Sequence, residues 1–377
     1  MSRTDYDVIV IGVGGVGAAA TYELARRGLS VLGLERYDVP HARGSSHGVT
    51  RIIRLAYYED PAYVPLLRRA YDRWHRLEAT RSTRLLHRIG SISAGPEGGE
   101  VIRGVRRSCA EHGIPNTALS ARELEERYPG YRLPDDHVAI HQADGGYLLS
   151  EEGIVAHVEA AHAEGATVRA REAVESWEAS ESGVRVETDR GEYTAERLVV
   201  TAGAWAASQL PELADLLVPE RQVLGWFQPR KPDRFAPERF PVFVHEAEEG
   251  HFYGFPVVSV PGVKLGRYHH RRETGRPDEL RREPDREDER LLREYTEEYF
   301  PDAAGPTMRL STCLFTNTPD GHFLVDTHPD HENVVIGAGF SGHGYKFASV
   351  LGEVLSDLAT EGESDHPIEP FRLRRFD

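Results

Sequence analysis

Residues 6–35 read YDVIVIGVGGVGAAATYELARRGLSVLGLE. The run over 6–11 is rich in Val and Ile and has the pattern of a buried strand. Gly12-x-Gly14-x-x-Gly17 follows. Residues 18–28 then place Ala20, Leu24 and Ala25 on one helical face and stop at Gly28. A second apolar strand over 30–34 leads to Glu35. Strand, glycine turn, helix and strand form a βαβ unit. In such a unit Gly12 allows the tight turn, Gly14 lets the backbone approach a pyrophosphate, and Gly17 lets helix and strand pack closely. The helix N-terminus then offers free N–H groups and its positive dipole end to the phosphates. A carboxylate at Glu35 suits an unphosphorylated ribose and repels a 2′-phosphate. A plain strand–helix turn accounts for the glycines but not for Glu35, so the unit is read as dinucleotide-binding.

Composition narrows the rest. A chain of 377 residues has room for two or three domains, and 40% apolar content fits a folded protein. Its net charge of −16 disfavours nucleic acid and anionic membranes as partners. No apolar run approaches the roughly 20 residues of a membrane-spanning helix. The N-terminal apolar run leads straight into glycines, which reads as a strand and not a signal peptide. Two cysteines, Cys109 and Cys313, allow at most one disulfide, so a reduced, cytoplasmic protein is expected. No CxxC or HExxH spacing exists, and no metal site is expected.

Further along, residues 63–77 and 150–165 read as helices, and 197–201 as another buried strand. Between about 220 and 275 the pattern shifts to short β pieces at 223–227, 242–245, 252–255 and 263–268, an antiparallel sheet. Residues 271–293 are highly charged and read as a solvated loop and helix face. Strands at 322–325 and 334–337, a glycine-rich turn over 337–344 and a helix over 345–360 follow. The expected fold is α/β plus α+β. A discontinuous Rossmann-like nucleotide domain (1–85, 146–220 and 311–377) carries an inserted antiparallel-sheet substrate domain (86–145 and 221–310).

The fingerprint alone does not separate FAD from NAD. Its place at the extreme N-terminus leans toward FAD, and so does HARGSSHGVTRIIR over 41–54. There Arg43, Ser45 and Ser46 suit a pyrophosphate or ribityl chain, and His47, Arg51 and Arg54 follow close to the cofactor. The plain alternative is a solvated basic loop. Cys313, in STCLFTNTPDGHF over 311–323, reads equally as a buried hydrophobe, half a disulfide, a metal ligand, a nucleophile or an attachment point.

Five stretches together carry a resemblance: DVIVIGVGGVG, GSSHGVTRIIR, YGFP with VKLG, CLFTNTPDGHFLVD and GAGFSGHGYKF. Spread from end to end, they make the chain similar to the monomeric sarcosine oxidase and N-methyltryptophan oxidase family, within the D-amino-acid-oxidase-like flavoproteins. The resemblance implies FAD bound covalently through the flavin 8α-methyl carbon to a cysteine sulfur, with Cys313 at that position. A thiolate there needs a positive neighbourhood. Arg54 resembles the arginine that pairs with the substrate carboxylate, and Lys346 its second partner. The plain reading of Lys346 is a solvated lysine at a helix start. Lys264 resembles the lysine over the flavin that promotes reaction with oxygen, its plain reading being a strand-edge lysine. Arg51, His47 and Thr50 match residues beside the flavin ring, Gly342 and Gly344 lie in the cofactor-side glycine turn, and Tyr253 matches a tyrosine of the substrate cavity.

Two departures stand out. KLGRYHH carries one extra residue before the family's histidine, so His269 or His270 fills that role. Phe315 replaces a tyrosine two residues after the flavin-linked cysteine, which argues against sarcosine itself. The implied activity is oxidation of a secondary, N-methyl or N-alkyl amino acid to an imine. Oxygen is the acceptor, and hydrogen peroxide and, from N-methyl substrates, formaldehyde are the products. A cyclic imino acid, a glycated amino acid or a bulkier N-methyl amino acid is the alternative substrate. A flavin- or NAD-binding protein without amine turnover is the reading from another class. A monomer acting on a small molecule is expected.

Overall fold

The computed structural model describes residues 4–376. The strand Tyr6–Ile11 lies at the centre of a parallel core, with Val31–Glu35 on one side and Gly191–Val200 on the other. Thr167–Ala170 continues the sheet beyond Val31–Glu35, and His331–Ala338 runs parallel to Gly191–Val200. Antiparallel strands complete an eight-stranded sheet. The helix Gly15–Arg26 starts three residues earlier than the apolar spacing suggests, because the glycines already take helical geometry. A Cβ on Gly17 would stand 1.8 Å from the Gly12 carbonyl oxygen, so only glycine lets the helix start this close to the strand. Buried Ala18–Ala20 and Leu24 pack this helix against Ser150–Ala163 and Ala348–Glu361.

A second eight-stranded sheet is built from Thr307–Asn317, Val218–Phe227, Val263–Arg267, Gly250–Val257, Val242–Ala247, Ser91–Pro96, His137–Gln142 and Thr117–Ser120, in that order. It is antiparallel except where Val242–Ala247 runs parallel to Ser91–Pro96. The helix Arg286–Tyr299 covers one face, with Leu292 and Tyr295 packed among Phe227, Phe243 and Phe300. The charged stretch is therefore solvated on one side only, and its Asp288 is fully buried. Thr307–Asn317 pairs along the whole of Val218–Phe227, so the expected limits at 220 and 311 cut through both strands. Both strands belong to the second sheet over their whole length. The expected outer limits, residues 1 and 377, lie outside the described residues. A small sheet of Thr50–Ile53, Gly146–Leu149 and Leu86–Arg88 sits where the two large sheets meet. No described helix is long and apolar enough to cross a membrane.

Candidate active site

Two cavities open along the nucleotide sheet and share Gly15, Ser45, Ser46, Gly203 and Phe340, so they form one trough. The first, of about 460 Å³, runs over Gly12, Gly14 and Glu35. No atom lies within 4 Å of where a Gly14 Cβ would stand, which leaves the approach over the helix start open. Glu35 is buried, and its two oxygens accept the N–H groups of Val13 and Tyr37, both at 3.0 Å. These bonds hold the carboxylate at the strand tip. Ser45 and Ser46 line both cavities, whereas Arg43 lines neither and is exposed. Arg43 therefore stands clear of both cavity walls, with its side chain in solvent.

The second cavity, of about 140 Å³, brings together Arg51, Arg54, Tyr253, Cys313, Phe315 and Lys346, with Gly342 and Gly344 in its wall. Residues from the small sheet, the second large sheet and the glycine turn thus converge, though they lie nearly 300 positions apart in sequence (51 to 346). Gly342 has φ +78°, and a Cβ there would meet the Phe315 ring at 2.5 Å, so the turn needs glycine on both counts.

Arg54 is buried. Its Nη1 donates to the Ala56 carbonyl at 2.9 Å and its Nη2 to both oxygens of Glu59 at 3.0 Å. The guanidinium also stacks on Tyr57 and Tyr58, with its carbon 4.7 and 4.9 Å from the ring centroids. Its Nε–H is buried and has no partner. Glu59 also lines the cavity and was not found by sequence reasoning. Burial pushes its carboxyl upward, but Arg54, His343, Lys346 and a backbone hydrogen bond together outweigh that and hold it below the usual range.

Lys346 is also buried, and Nζ donates to the His343 carbonyl at 2.7 Å and lies 3.5 Å from the Tyr57 hydroxyl. The solvated-lysine reading therefore fails. Burial drives its pKa down to about 7, partly offset by Glu59 and reinforced by Arg54 and Arg51. His343 Nε2 faces the Gly321 carbonyl at 3.0 Å, which can only accept. Nε2 therefore carries the proton, and Nδ1 accepts from the Tyr57 hydroxyl at 2.6 Å.

Cys313 is buried on a strand and lines the cavity next to Trp226 and Tyr253. Burial raises its thiol pKa, while Arg51, Lys264, Arg282 and Arg221 all pull it down. Cys109 lies elsewhere, on the helix Glu100–His112, and both thiols are free. The disulfide reading is excluded.

Lys264 is buried and lines neither cavity. Its Nζ donates to the Thr50 carbonyl at 2.7 Å and the Thr50 hydroxyl at 3.0 Å, and lies 4.2 Å from the Phe255 ring centroid. It is no strand-edge lysine. Burial, then Arg51, hold its pKa well below the ordinary lysine value. His47 is buried in the field of Arg51, Glu151 and Lys264, and neither ring nitrogen has a partner. Burial first, then Arg51, lower its pKa to about 3, so it is neutral near pH 7. Between them Val49 takes φ +74°, an outlier for a β-branched residue that costs on the order of 1–3 kcal/mol.

Neither His269 nor His270 lines the cavity, which corrects the expectation that one of them does. His269 has φ +54°, and its Nδ1 meets Glu220 at 2.6 Å. His270 Nε2 lies 3.2 Å from Asp288, beside the buried Arg221–Asp288 ion pair, and burial lowers its pKa to about 4. Tyr268 lines the cavity instead and donates to the Ser341 carbonyl. The strand ends at Arg267, and in the turn that follows His269 takes a left-handed backbone and points to Glu220, which leaves Tyr268 at the cavity.

These residues fit FAD. The trough joins a helix-start site at Gly14 to a wall bearing Cys313, and the orphaned His47 nitrogens face no protein partner. A family model for FAD dependent oxidoreductases matches residues 7–358, and the chain belongs to that family. Within it, monomeric sarcosine oxidase of Bacillus sp. (strain NS-129) is 41% identical over 99% of this chain and 97% of that one. N-methyl-L-tryptophan oxidase of Salmonella enteritidis PT4 is 35% identical, covering 98% of this chain and 99% of that one. Among solved structures, the open form of NikD, described as an unusual amino acid oxidase, superposes with a TM-score of 0.84 at 28% identity. The match covers 97% of both chains.

Proposed function

We propose that the protein uses FAD to oxidise N-methyl or other N-alkyl amino acids to imines. The observation that carries this reading is one cavity that holds a buried Arg54 guanidinium, a buried Lys346 ammonium and the thiol of Cys313. Bound FAD supplies the two-electron acceptor. Gly12, Gly14, Gly17 and Glu35 would hold its adenosine half, Ser45 and Ser46 the middle, and His47, Thr50, Arg51, Gly342 and Gly344 the flavin end. Arg54 and Lys346 bind the substrate carboxylate, the orphaned Arg54 Nε–H among the donors. The same cations, in a cavity walled by aromatic rings, disfavour a protonated amine and keep its lone pair free. Tyr253, Tyr268 and Phe315 exclude water and orient the N-alkyl group. The reading extends to oxygen as acceptor beside Lys264, to hydrogen peroxide and formaldehyde as products, and to a covalent Cys313–flavin bond. Phe315 brings no hydroxyl, and with Tyr268 it favours a substituent larger than that of sarcosine. A peroxide-coupled screen of sarcosine against bulkier N-methyl, cyclic and glycated amino acids tests this. Absence of peroxide from every secondary amine would sink it.

Two further outcomes are expected. After acid denaturation, wild-type protein keeps its yellow colour in the pellet, and Cys313→Ser releases it all to the supernatant. Colour released equally from both would remove the covalent bond from the scheme. Lys346 is charged below about pH 7 and neutral above, because burial depresses its value. Binding of a carboxylate that lacks an amine therefore weakens by about tenfold as pH rises through that value. A flat titration, or one that survives Lys346→Met, would remove Lys346 from carboxylate binding.

A further inference from the structure

We propose that Glu151 is a positioning residue whose carboxylate holds a strained turn at Val49 and thereby fixes His47, Thr50 and Arg51 beside the bound flavin. The inference rests on the reading that FAD occupies the trough. Gly48 and Val49 have φ +91° and +74°, and the Thr50 N–H donates back to the Gly48 carbonyl at 2.9 Å. That is a γ-turn of the rare positive-φ kind, centred on a β-branched residue. Glycine tolerates such backbone and valine resists it, so the turn must be imposed from outside.

The start of the helix Ser150–Ala163 imposes it. Glu151 Oε1 accepts the Gly48 N–H at 2.6 Å, and Oε2 accepts the Val49 N–H at 3.0 Å. The Val49 carbonyl accepts the Ser150 N–H at 2.9 Å, and the Ser150 hydroxyl donates to Glu151 at 2.6 Å. Two consecutive helix residues thus capture both N–H groups and the carbonyl of the strained segment. The bonds to Glu151 are charge-assisted, and a carboxylate in a first helical turn is favoured by the dipole. On one side of the turn lies His47, whose ring nitrogens have no partner. On the other lie Thr50, which accepts from Lys264, and Arg51 in the cavity wall. Glu151 and Val49 line neither cavity, so Glu151 acts through the chain it holds.

The test is a double-mutant cycle on FAD affinity, read by fluorescence titration of apoprotein carrying Cys313→Ala so that binding is reversible. Glu151→Ala is expected to weaken FAD binding by about tenfold or more, as the turn relaxes. Val49→Gly removes the reason the turn resists its shape. In that background the same Glu151→Ala change is expected to cost about threefold or less. A carboxylate acting only through its charge on Arg51, His47 and Lys264 would show no such rescue. Equal losses in the two backgrounds, or unchanged FAD binding in E151A, would overturn the proposal. If E151A does not fold, E151Q in both backgrounds gives the same comparison. A parent that binds no FAD overturns the cofactor reading and the proposal with it, whereas a parent and E151A that bind alike overturn the proposal alone.

Discussion

Replacing Arg54 by methionine is expected to lower kcat/KM for the amino acid substrate by about 10²–10³-fold, most of it in KM. The guanidinium is buried, lies against two tyrosine rings and keeps one donor free. A carboxylate entering the cavity meets a charge already stripped of water, so the bond is worth far more than at the surface. Arg54→Lys is expected to lose most of the same activity, because a point charge cannot reproduce the planar fork. The change also strands Glu59, which now pairs with both its oxygens on Arg54. The double variant R54M/E59Q separates the two effects: it should regain thermal stability but not kcat/KM. A steady-state measurement on flavin-loaded R54M that falls within threefold of wild type would remove Arg54 from substrate binding.

The contrast between Arg54 and Glu59 shows what the sequence made legible. The βαβ unit was readable because strand period, glycine spacing and terminal carboxylate are local signals, and all held in the structure. Arg54 and Cys313 drew notice on their own, but the particular roles expected of Arg54, Lys264, Lys346 and Cys313 came only through stretches shared with a family, since no spacing along the chain relates 54, 264, 313 and 346. Glu59 gave no signal, because its role depends on Arg54 folding back over five residues within a loop. Glu151 was hidden for a related reason. Its partners are backbone N–H groups about a hundred residues away, and any residue type supplies those. The histidine error was of another kind. Counting along KLGRYHH sought an imidazole, whereas the turn after Val263–Arg267 sends His269 to Glu220 and leaves Tyr268 at the cavity. The basic loop is not uniformly inward either: the bend that buries His47 leaves Arg43 exposed.

Lys264→Met is expected to slow reoxidation of the reduced enzyme by oxygen by about 10²–10³-fold, with little change in the rate of its reduction by substrate. Lys264 is buried, bonded to Thr50, and lies over the ring of Phe255, which lines the cavity. An ammonium there offsets the negative charge that develops on oxygen as it takes electrons, and no water competes for it. In the proposed scheme Arg54 and Lys346 hold the substrate carboxylate, so the first half-reaction makes no such demand on Lys264. The depressed pKa adds a second, independent signature. Burial and Arg51 disfavour the charged form, so the ammonium exists below its lowered value and is lost as pH rises through it. The bimolecular rate constant with oxygen should therefore fall with rising pH in wild type and stay flat in K264M. Stopped-flow mixing of the reduced protein with oxygen measures both. Equal reoxidation rates for wild type and K264M would take the oxygen reaction away from this lysine. A wild-type rate that rises with pH would assign the effect to the neutral amine.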